Sequence, residues 1–247
     1  MSEPRVLVVE HQDDCTVALL GAWLVEAGAA LDVRRPYAGD ALPDDLSAHD
    51  AYVVLGGSMS VHDDHLHDWL ASTRQLVRDA VSRRTPTLGI CLGHQLVAVA
   101  LGGEVAPNPR GQQLGLLPVG WTDAAPYDEL ARGLVGAGVV VQWNDDVVTR
   151  APAGTVVLAE TTDGELQAAR FAPTVWGVQA HPEVDEPTLS AWAAEDPDRY
   201  ADGVVEEVLA RIAAHREQLD TGWRPLAAQL VQLARAARVA DPAPTTP

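Results

Sequence analysis

The sequence predicts an α/β fold, with a Rossmann-like, mostly parallel central sheet flanked by helices, added antiparallel strands in the second half and a helical C-terminal extension. Three observations support it. Short apolar runs alternate with helical spacing up to residue 103, closely spaced strands follow, and helical spacing returns after Pro187. Strands that alternate with helices normally pair in parallel through right-handed crossovers.

The first hundred residues contain four apolar runs, each typical of a buried strand. They are "RVLVVE", "LDVRRP", "AYVVLGG" and "TPTLGI". The segment "TVALLGAWLVEAGAAL" has apolar residues at helical spacing, and "LHDWLASTRQLVRDAVSRR" is an amphipathic helix. The order strand, helix, strand predicts the parallel part of the sheet.

After residue 103 the runs are too close together for intervening helices, so we expect antiparallel strands. These runs are "QLGLLPVGW", "GVVVQW", "TVVLAET", "LQAARF" and "TVWGVQ". Two helices follow, "DGVVEEVLARIAAHREQL" and "WRPLAAQLVQLARAARVA". The second has one apolar face, which we expect to pack on its own chain, formed by Trp223, Leu226, Leu230, Leu233 and Ala237.

This pattern predicts three regions in the 247-residue chain. Residues 1–190 form the main domain, 191–240 a helical extension and 241–247, ending in "DPAPTTP", a disordered tail. No run of about 18 apolar residues and no signal-peptide pattern is present, which predicts a cytoplasmic protein without a membrane span.

Composition excludes several classes of function. The formal net charge is −18, so a nucleic-acid partner is not expected. All seventeen basic residues are arginines, which excludes a phosphate loop with its lysine and a lysine Schiff base. No cofactor is expected. The chain has two cysteines, Cys15 and Cys91, too few for a disulfide framework.

The segment "GICLGHQ" places Cys91 where a predicted strand ends and a helix begins. Gly89 and Gly93 flank it two positions away on either side, as in a nucleophile elbow, whose sharp turn requires small neighbours. The helix N-terminus that follows would stabilise a thiolate. Cys91 is therefore the candidate nucleophile, with its thiol expected to be exposed. Cys15 lacks such neighbours and is interpreted as packing.

A thiol nucleophile needs a base and a group that orients the base. In "WGVQAHPEV", His181 follows a predicted strand, and Glu183 lies two positions further on. We expect Glu183 to accept a hydrogen bond from the imidazole and so to fix its orientation.

Attack on a carbonyl also requires backbone N–H groups that stabilise an oxyanion. The segment "VLGGSMSV" ends the third predicted strand with Gly56 and Gly57, which allow a ligand to approach the backbone. The N–H groups of Gly57 and Leu92 are the candidate pair.

The histidines and aspartates of "SVHDDHLHDW" do not fit the spacing of a standard metal site. We therefore predict no metal there. The segment is interpreted as a solvated loop or helix start that forms one lip of the pocket.

Taken together, "LGGSMSV", "GICLGHQ" and "GVQAHPE" resemble the class I, or triad, glutamine amidotransferases, most closely the free-standing domain similar to the glutaminase part of GMP synthase. The resemblance covers roughly residues 5 to 190. It implies that Cys91 attacks the side-chain amide of glutamine, releasing ammonia and leaving a thioester that water hydrolyses. His181 would be the acid/base and Glu183 its orienting group, and Gln95 would help to hold glutamine.

The sequence departs from the family pattern at two places. Relatives commonly have a histidine and a glycine where "VQWNDDVV" has Asn144 and Asp145, and Ala180 replaces an aromatic residue. The resemblance makes Trp143, Asn144 and Asp145 substrate neighbours. Asp145 either meets an α-amino group or faces solvent, and solvent is favoured.

Three functions stay open on the sequence. The first is a glutaminase that supplies ammonia to a separate synthetase or acceptor subunit. The second is a γ-glutamyl peptidase or hydrolase that acts without a partner. The third is a non-catalytic regulatory role in a larger assembly, against which the intact triad argues. The expected substrate is glutamine or a γ-glutamyl compound.

Overall fold

A computed structural model describes residues 3–195 and 199–240. The predicted tail, 241–247, lies outside the described residues. The strands are β1 (Arg5–Val9), β2 (Ala30–Arg34), β3 (Ala51–Val54), β4 (Thr87–Ile90), β5 (Glu104–Pro107), β6 (Gln113–Pro118), β7 (Val139–Asn144), β8 (Asp146–Arg150), β9 (Val156–Glu160), β10 (Leu166–Ala172) and β11 (Val175–Val178). The helices are α1 (Ala18–Glu26), α2 (Trp69–Arg83), α3 (Leu92–Ala100), α4 (Glu186–Glu195), α5 (Val204–Ala214), α6 (Arg216–Trp223) and α7 (Pro225–Ala240).

A seven-stranded sheet forms the centre of the fold, in the order β2-β1-β3-β4-β11-β10-β9. Five neighbouring strands pair in parallel, in the order β2, β1, β3, β4 and β11. The strand β10 pairs antiparallel with β11 on one side and with β9 on the other. The predicted α/β class, with its mostly parallel sheet and added antiparallel strands, is confirmed. The other four strands form two antiparallel ribbons, β5 with β8 and β6 with β7, and do not extend this sheet.

Alternating side chains of the central strands divide the core into two layers. In β1, Val6 and Val8 face one layer, and Leu7 and Val9 face the other. A strand buried on both faces is a near-continuous apolar run, as "VLVV" is. The layer around Leu7 is covered by α2 and α3, and the layer around Val6 by α1 and the C-terminal helices.

The apolar face predicted in the last helix packs on this core. Trp223, Leu226 and Leu230 are fully buried in the same layer as Val6, so the expectation that the face covers its own chain is met. The helix predicted over "DGVVEEVLARIAAHREQL" is divided into α5 and α6 at His215. The boundary near residue 190 stays a prediction. Across residues 3–195 and 199–240, every helix is too short or too polar to cross a membrane.

Candidate active site

Three adjacent parallel strands deliver the predicted site residues to one edge of the sheet. Val54 of β3 pairs with Gly89 of β4, and Ile90 of β4 pairs with Val178 of β11. Because the carboxyl ends of parallel strands lie at the same edge, the segments after β3, β4 and β11 meet there. These segments carry Gly57, Cys91 and His181.

Cys91 occupies a sharp turn between β4 and α3. Its φ is 51° and its ψ is −109°, a conformation that non-glycine residues rarely adopt. A Cβ on Gly89 would lie 2.4 Å from the Gly93 carbonyl oxygen, and one on Gly93 would lie 2.0 Å from that of Val54. The two glycines therefore allow α3 to pack directly against β3 and β4, which holds the turn in place.

The Cys91 side chain is buried, with 7% of the residue exposed, although an exposed thiol is expected from an elbow. It nevertheless lines a pocket of about 390 Å³. The burial arises because the loop after β1, the β7–β8 turn and α4 all close around the elbow. The thiol thus reaches a concave pocket and not the open surface.

His181 and Glu183 form the expected pair. The Nδ1 atom of His181 lies 2.8 Å from Oε1 of Glu183, and both side chains are buried. The backbone N–H of His181 donates to the Val141 carbonyl at 2.8 Å, which ties the segment after β11 to β7. The edge of Trp192 packs on the imidazole with ring centroids 4.7 Å apart. These contacts fix the position of the imidazole.

The electrostatic surroundings of His181 favour its protonated form. Burial of the ring acts to lower its pKa, but the charges of Cys91 and Glu183 and the hydrogen bonds with both outweigh burial and raise the pKa to about 10. Because folding raises this pKa above 6.5, the resulting stabilisation is fully present below pH 6.5 and is lost as the pH rises through about 10.

Two other buried histidines, His11 and His94, have lowered pKa values, unlike the candidate acid/base His181. Burial lowers the pKa of His94 to about 3, and burial with the nearby charge of His67 lowers that of His11 to about 3. His94 packs against Phe171 and Gly177 inside the fold. Both rings stay neutral near pH 7.

Replacing Glu183 by glutamine should lower the pKa of His181 from about 10 toward 6.5, because the neutral amide removes one of the charges that favour the imidazolium. The measurement is NMR titration of the His181 ring protons. Glu186→Gln is the matched control, since Glu186 is exposed in the first turn of α4. An unchanged His181 midpoint in Glu183→Gln would show that the carboxylate does not set the protonation state.

The candidate oxyanion residues lie beside the elbow. A Cβ on Gly56 would be 3.1 Å from Cε1 of His181, and one on Gly57 would be 3.0 Å from Cδ2 of Leu92. Leu92 is the first residue of α3, where backbone N–H groups have no carbonyl partner within the helix. Gly57 lines the pocket, whereas Gly56, Leu92 and Glu183 lie just behind its wall. The roles assigned to them stay predictions.

Four of the five expected substrate neighbours line the pocket, whereas Gly56 does not. Gln95 donates through Nε2 to the Asp146 carbonyl at 2.8 Å, and Trp143 packs edge-on against Trp192. Asn144 donates to the same carbonyl at 3.2 Å. Asp145, expected to face solvent or an α-amino group, is half-exposed and forms an ion pair with Arg199.

A comparison with known families agrees with this geometry. Residues 8–191 match the sequence model of the family described as "Glutamine amidotransferase class-I". The chain belongs to this family.

Among similar proteins is the glutamine amidotransferase-like protein YfeJ of Salmonella typhimurium, 27% identical over 86% of this chain and 89% of that one. A glutamine-hydrolysing GMP synthase subunit of Sulfolobus acidocaldarius is 35% identical over 57% of this chain and 71% of its own length. Gamma-glutamyl peptidase 5 of Arabidopsis thaliana is 27% identical over 66% of each chain.

The fold of the class I amidotransferases is also matched by a solved structure. A glutamine amidotransferase from Thermotoga maritima superimposes with a TM-score of 0.83 and 23% identity, over 94% of this chain and 100% of that one. This likeness supports the fold.

Several residues that lie beside the thiol or line the pocket of this class I chain were missed by the sequence analysis. Gln179 places Nε2 3.7 Å from the Cys91 sulfur, and Trp192 and Arg199 reach the pocket from α4 and the segment after it. Gln179 could have been found from its place between a strand end and His181. The other two carry no local signal, because only the return of the chain over the sheet brings them to the pocket.

Cys15 also lines the pocket, although it was interpreted as packing. Burial, followed by the charges of Asp14 and Cys91, raises its pKa well above the ordinary range, so its thiol stays protonated. Its position after β1 was a usable signal, since that loop lies at the carboxyl edge of the sheet.

The histidine-rich segment "SVHDDHLHDW" contributes Asp63 to the pocket lining, as expected of a lip. Arg74 pairs with Asp64, and the ring of His67 packs on Trp69. In the described residues, no three His, Cys, Asp or Glu side chains are grouped so that they could hold a metal ion.

Proposed function

We propose that this chain hydrolyses the side-chain amide of glutamine, or of a γ-glutamyl compound, through a thioester on Cys91. The observation that carries the proposal is the buried His181, hydrogen-bonded to Glu183 at 2.8 Å and adjacent to Cys91 in one pocket. This is the nucleophile, base and orienting group that amide cleavage by a thiol requires.

The first step transfers the γ-glutamyl group to sulfur. The Cys91 thiolate attacks the amide carbonyl carbon, and the oxygen takes up the electron pair of the carbonyl double bond. As the C–N bond breaks, the His181 imidazolium donates its proton to the leaving nitrogen, which departs as ammonia or an amine. The products are a thioester on Cys91 and a neutral His181.

The second step restores the enzyme. Neutral His181 removes a proton from water, whose oxygen attacks the thioester carbon. Collapse of this intermediate breaks the C–S bond and releases glutamate, with Cys91 again a thiolate and His181 again an imidazolium. Glu183 accepts a hydrogen bond from the His181 ring and so orients and stabilises the imidazolium. In both steps the N–H groups of Gly57 and Leu92 are proposed to bind the oxyanion.

The residues around the elbow are proposed to hold the substrate. Because Gly56 has no side chain, its backbone can lie close to His181 and to a bound substrate. The pocket that receives the glutamyl group is lined by Gln95, Trp143, Asn144 and Asp145. The similarity to a glutamine-hydrolysing GMP synthase subunit supports transfer of the released ammonia to a separate synthetase or acceptor subunit.

A second candidate function is hydrolysis of larger γ-glutamyl compounds without a partner. The similarity to a gamma-glutamyl peptidase supports it. So do Asn144 and Asp145, which line the pocket where relatives commonly have a histidine and a glycine, whereas Ala180 is buried and does not line it.

The test compares ammonia release from glutamine with hydrolysis of a γ-glutamyl dipeptide by the purified full chain. Faster turnover of glutamine, with or without cell extract, supports the amidotransferase function. A strong preference for the dipeptide supports the peptidase. No turnover of either, together with no labelling of Cys91 by a chloroketone analogue of glutamine in cell extract, would contradict both and favour a non-catalytic regulatory subunit.

A further inference from the structure

The pocket around Cys91 is strongly acidic. Four carboxylates line it, those of Asp63, Asp145, Asp146 and Glu195, and Arg199 is the one arginine among the described lining residues. Apart from the catalytic pair Cys91 and His181, these four carboxylates and one guanidinium give a net charge of −3. A concave site with walls of low dielectric concentrates the field of such charges and raises the local concentration of cations.

Asp146 has no arginine ion pair among the described residues, although the nearby His62 acts to lower its pKa. Ser60 Oγ lies 3.5 Å from its carboxylate, and the one pocket arginine is paired with Asp145 instead. Burial, followed by the nearby charges of Asp145 and Asp63, raises the pKa of Asp146 above its usual range. A positively charged ligand would offset the repulsion between these carboxylates.

Glu195, the last residue of α4, is a second such carboxyl group in the pocket lining. Burial, then the charge of Asp14 and a hydrogen bond with it, and then the charge of Asp13, raise its pKa. In the part of the chain that the structure describes, neither Glu195 nor Asp146 forms an ion pair with an arginine.

A buried acceptor in the same pocket also requires a donor. Asn144 is 4% exposed and lines the pocket, and its Oδ1 has no hydrogen-bond partner among the described residues. A buried acceptor left without a partner is unfavourable, so the pocket is completed by a ligand that brings N–H groups. Ammonium groups supply both the donors and the positive charge.

Glutamine alone does not balance these charges. It carries one ammonium and one carboxylate, so its binding leaves the net charge of the pocket at −3. From these observations we infer that the preferred substrate is a γ-glutamyl amide whose amine portion carries a further protonated amine. The inference rests on the proposed thioester chemistry and names the substrate class of the same site. Hydrolysis would release glutamate and a cationic diamine.

The test compares three substrates of the full chain. They are γ-glutamylethylamide with a neutral leaving amine, γ-glutamyl-1,4-diaminobutane with a cationic one, and γ-glutamylglutamate with an anionic one. At low ionic strength we expect kcat/KM to be about tenfold or more higher for the cationic than for the neutral substrate, and lowest for the anionic one. Added salt should reduce this preference, because it screens the partly exposed carboxylates.

Charge-neutral variants locate the source of the preference. Asp146→Asn and Glu195→Gln should each lower the ratio of kcat/KM for the cationic and neutral substrates by several-fold. Asp123→Asn is the matched control, because Asp123 is exposed and lies outside the pocket, and its ratio should equal that of the unaltered chain.

The outcomes separate this inference from the proposed function. Equal or faster hydrolysis of the neutral substrate would overturn the inference while leaving the thioester mechanism intact. A cationic preference that neither pocket variant reduces would overturn it too. Failure to hydrolyse any γ-glutamyl amide would contradict the proposed function itself. The salt dependence requires no variant, so the test stands even if a variant fails to fold.

Discussion

Replacing Cys91 by serine should lower kcat/KM for hydrolysis of the preferred γ-glutamyl amide by about 10⁴-fold or more. In hydrolases whose nucleophile and base act as a unit, loss of either removes nearly all turnover, and what remains comes from binding and the oxyanion site. A serine hydroxyl is far less acidic than a thiol, so little of it is present as the alkoxide that attack on the amide carbonyl requires.

Intact mass spectrometry would locate the nucleophile directly. A chloroketone analogue of glutamine should add one adduct to the unaltered chain and to Cys15→Ala, but none to Cys91→Ser. Because Cys15 lines the same pocket, it is the informative comparison. An adduct that survives in Cys91→Ser and disappears in Cys15→Ala would reverse the assignment of the nucleophile.

Replacing His181 by alanine should lower kcat by about 10² to 10⁴-fold, the range typical of general acid–base catalysis. The leaving nitrogen then has no proton donor, and water has no base in the second step. Stopped-flow or steady-state measurement of ammonia or amine release would give the loss. Cys91→Ser combined with His181→Ala should be little worse than Cys91→Ser alone, because the two groups act in the same steps.

His65→Ala is the matched control for His181. His65 is exposed in the histidine-rich lip segment and does not line the pocket, so its loss should leave kcat near that of the unaltered chain. A large loss in His65→Ala together with a small one in His181→Ala would place the acid/base on the lip and not beside Glu183.

The parallel part of the central sheet could be predicted because β1, β3 and β4 are short apolar runs and because the helices α1 and α2 follow β1 and β3. The ribbon strands β5 and β8 were not predicted, since "EVAP" and "DVVTR" are short and half-exposed. The break at His215 was also missed. The helical spacing of apolar residues continues across it, whereas the backbone of His215, with a φ of −109° and a ψ of 11°, leaves the helical conformation.

The centre of the candidate site was predictable for a different reason. Gly89, Cys91, Gly93, His181 and Glu183 belong to short motifs in which local geometry requires particular residues. The outer wall of the pocket was not predictable. Glu195 and Arg199 line it only because the folded chain brings them to the same edge of the sheet as Cys91. No spacing in the sequence indicates that arrangement, and the acidic character of the pocket emerges only when distant segments are brought together.

The backbone of Cys91 has a φ of 51°, which a residue with a side chain adopts at a cost of about 1 to 3 kcal/mol. Glycine would adopt the same turn without that cost. The backbone conformation that presents the nucleophile therefore favours glycine over cysteine, so the need for a thiol and the local preference of the backbone act in opposite directions at this one position.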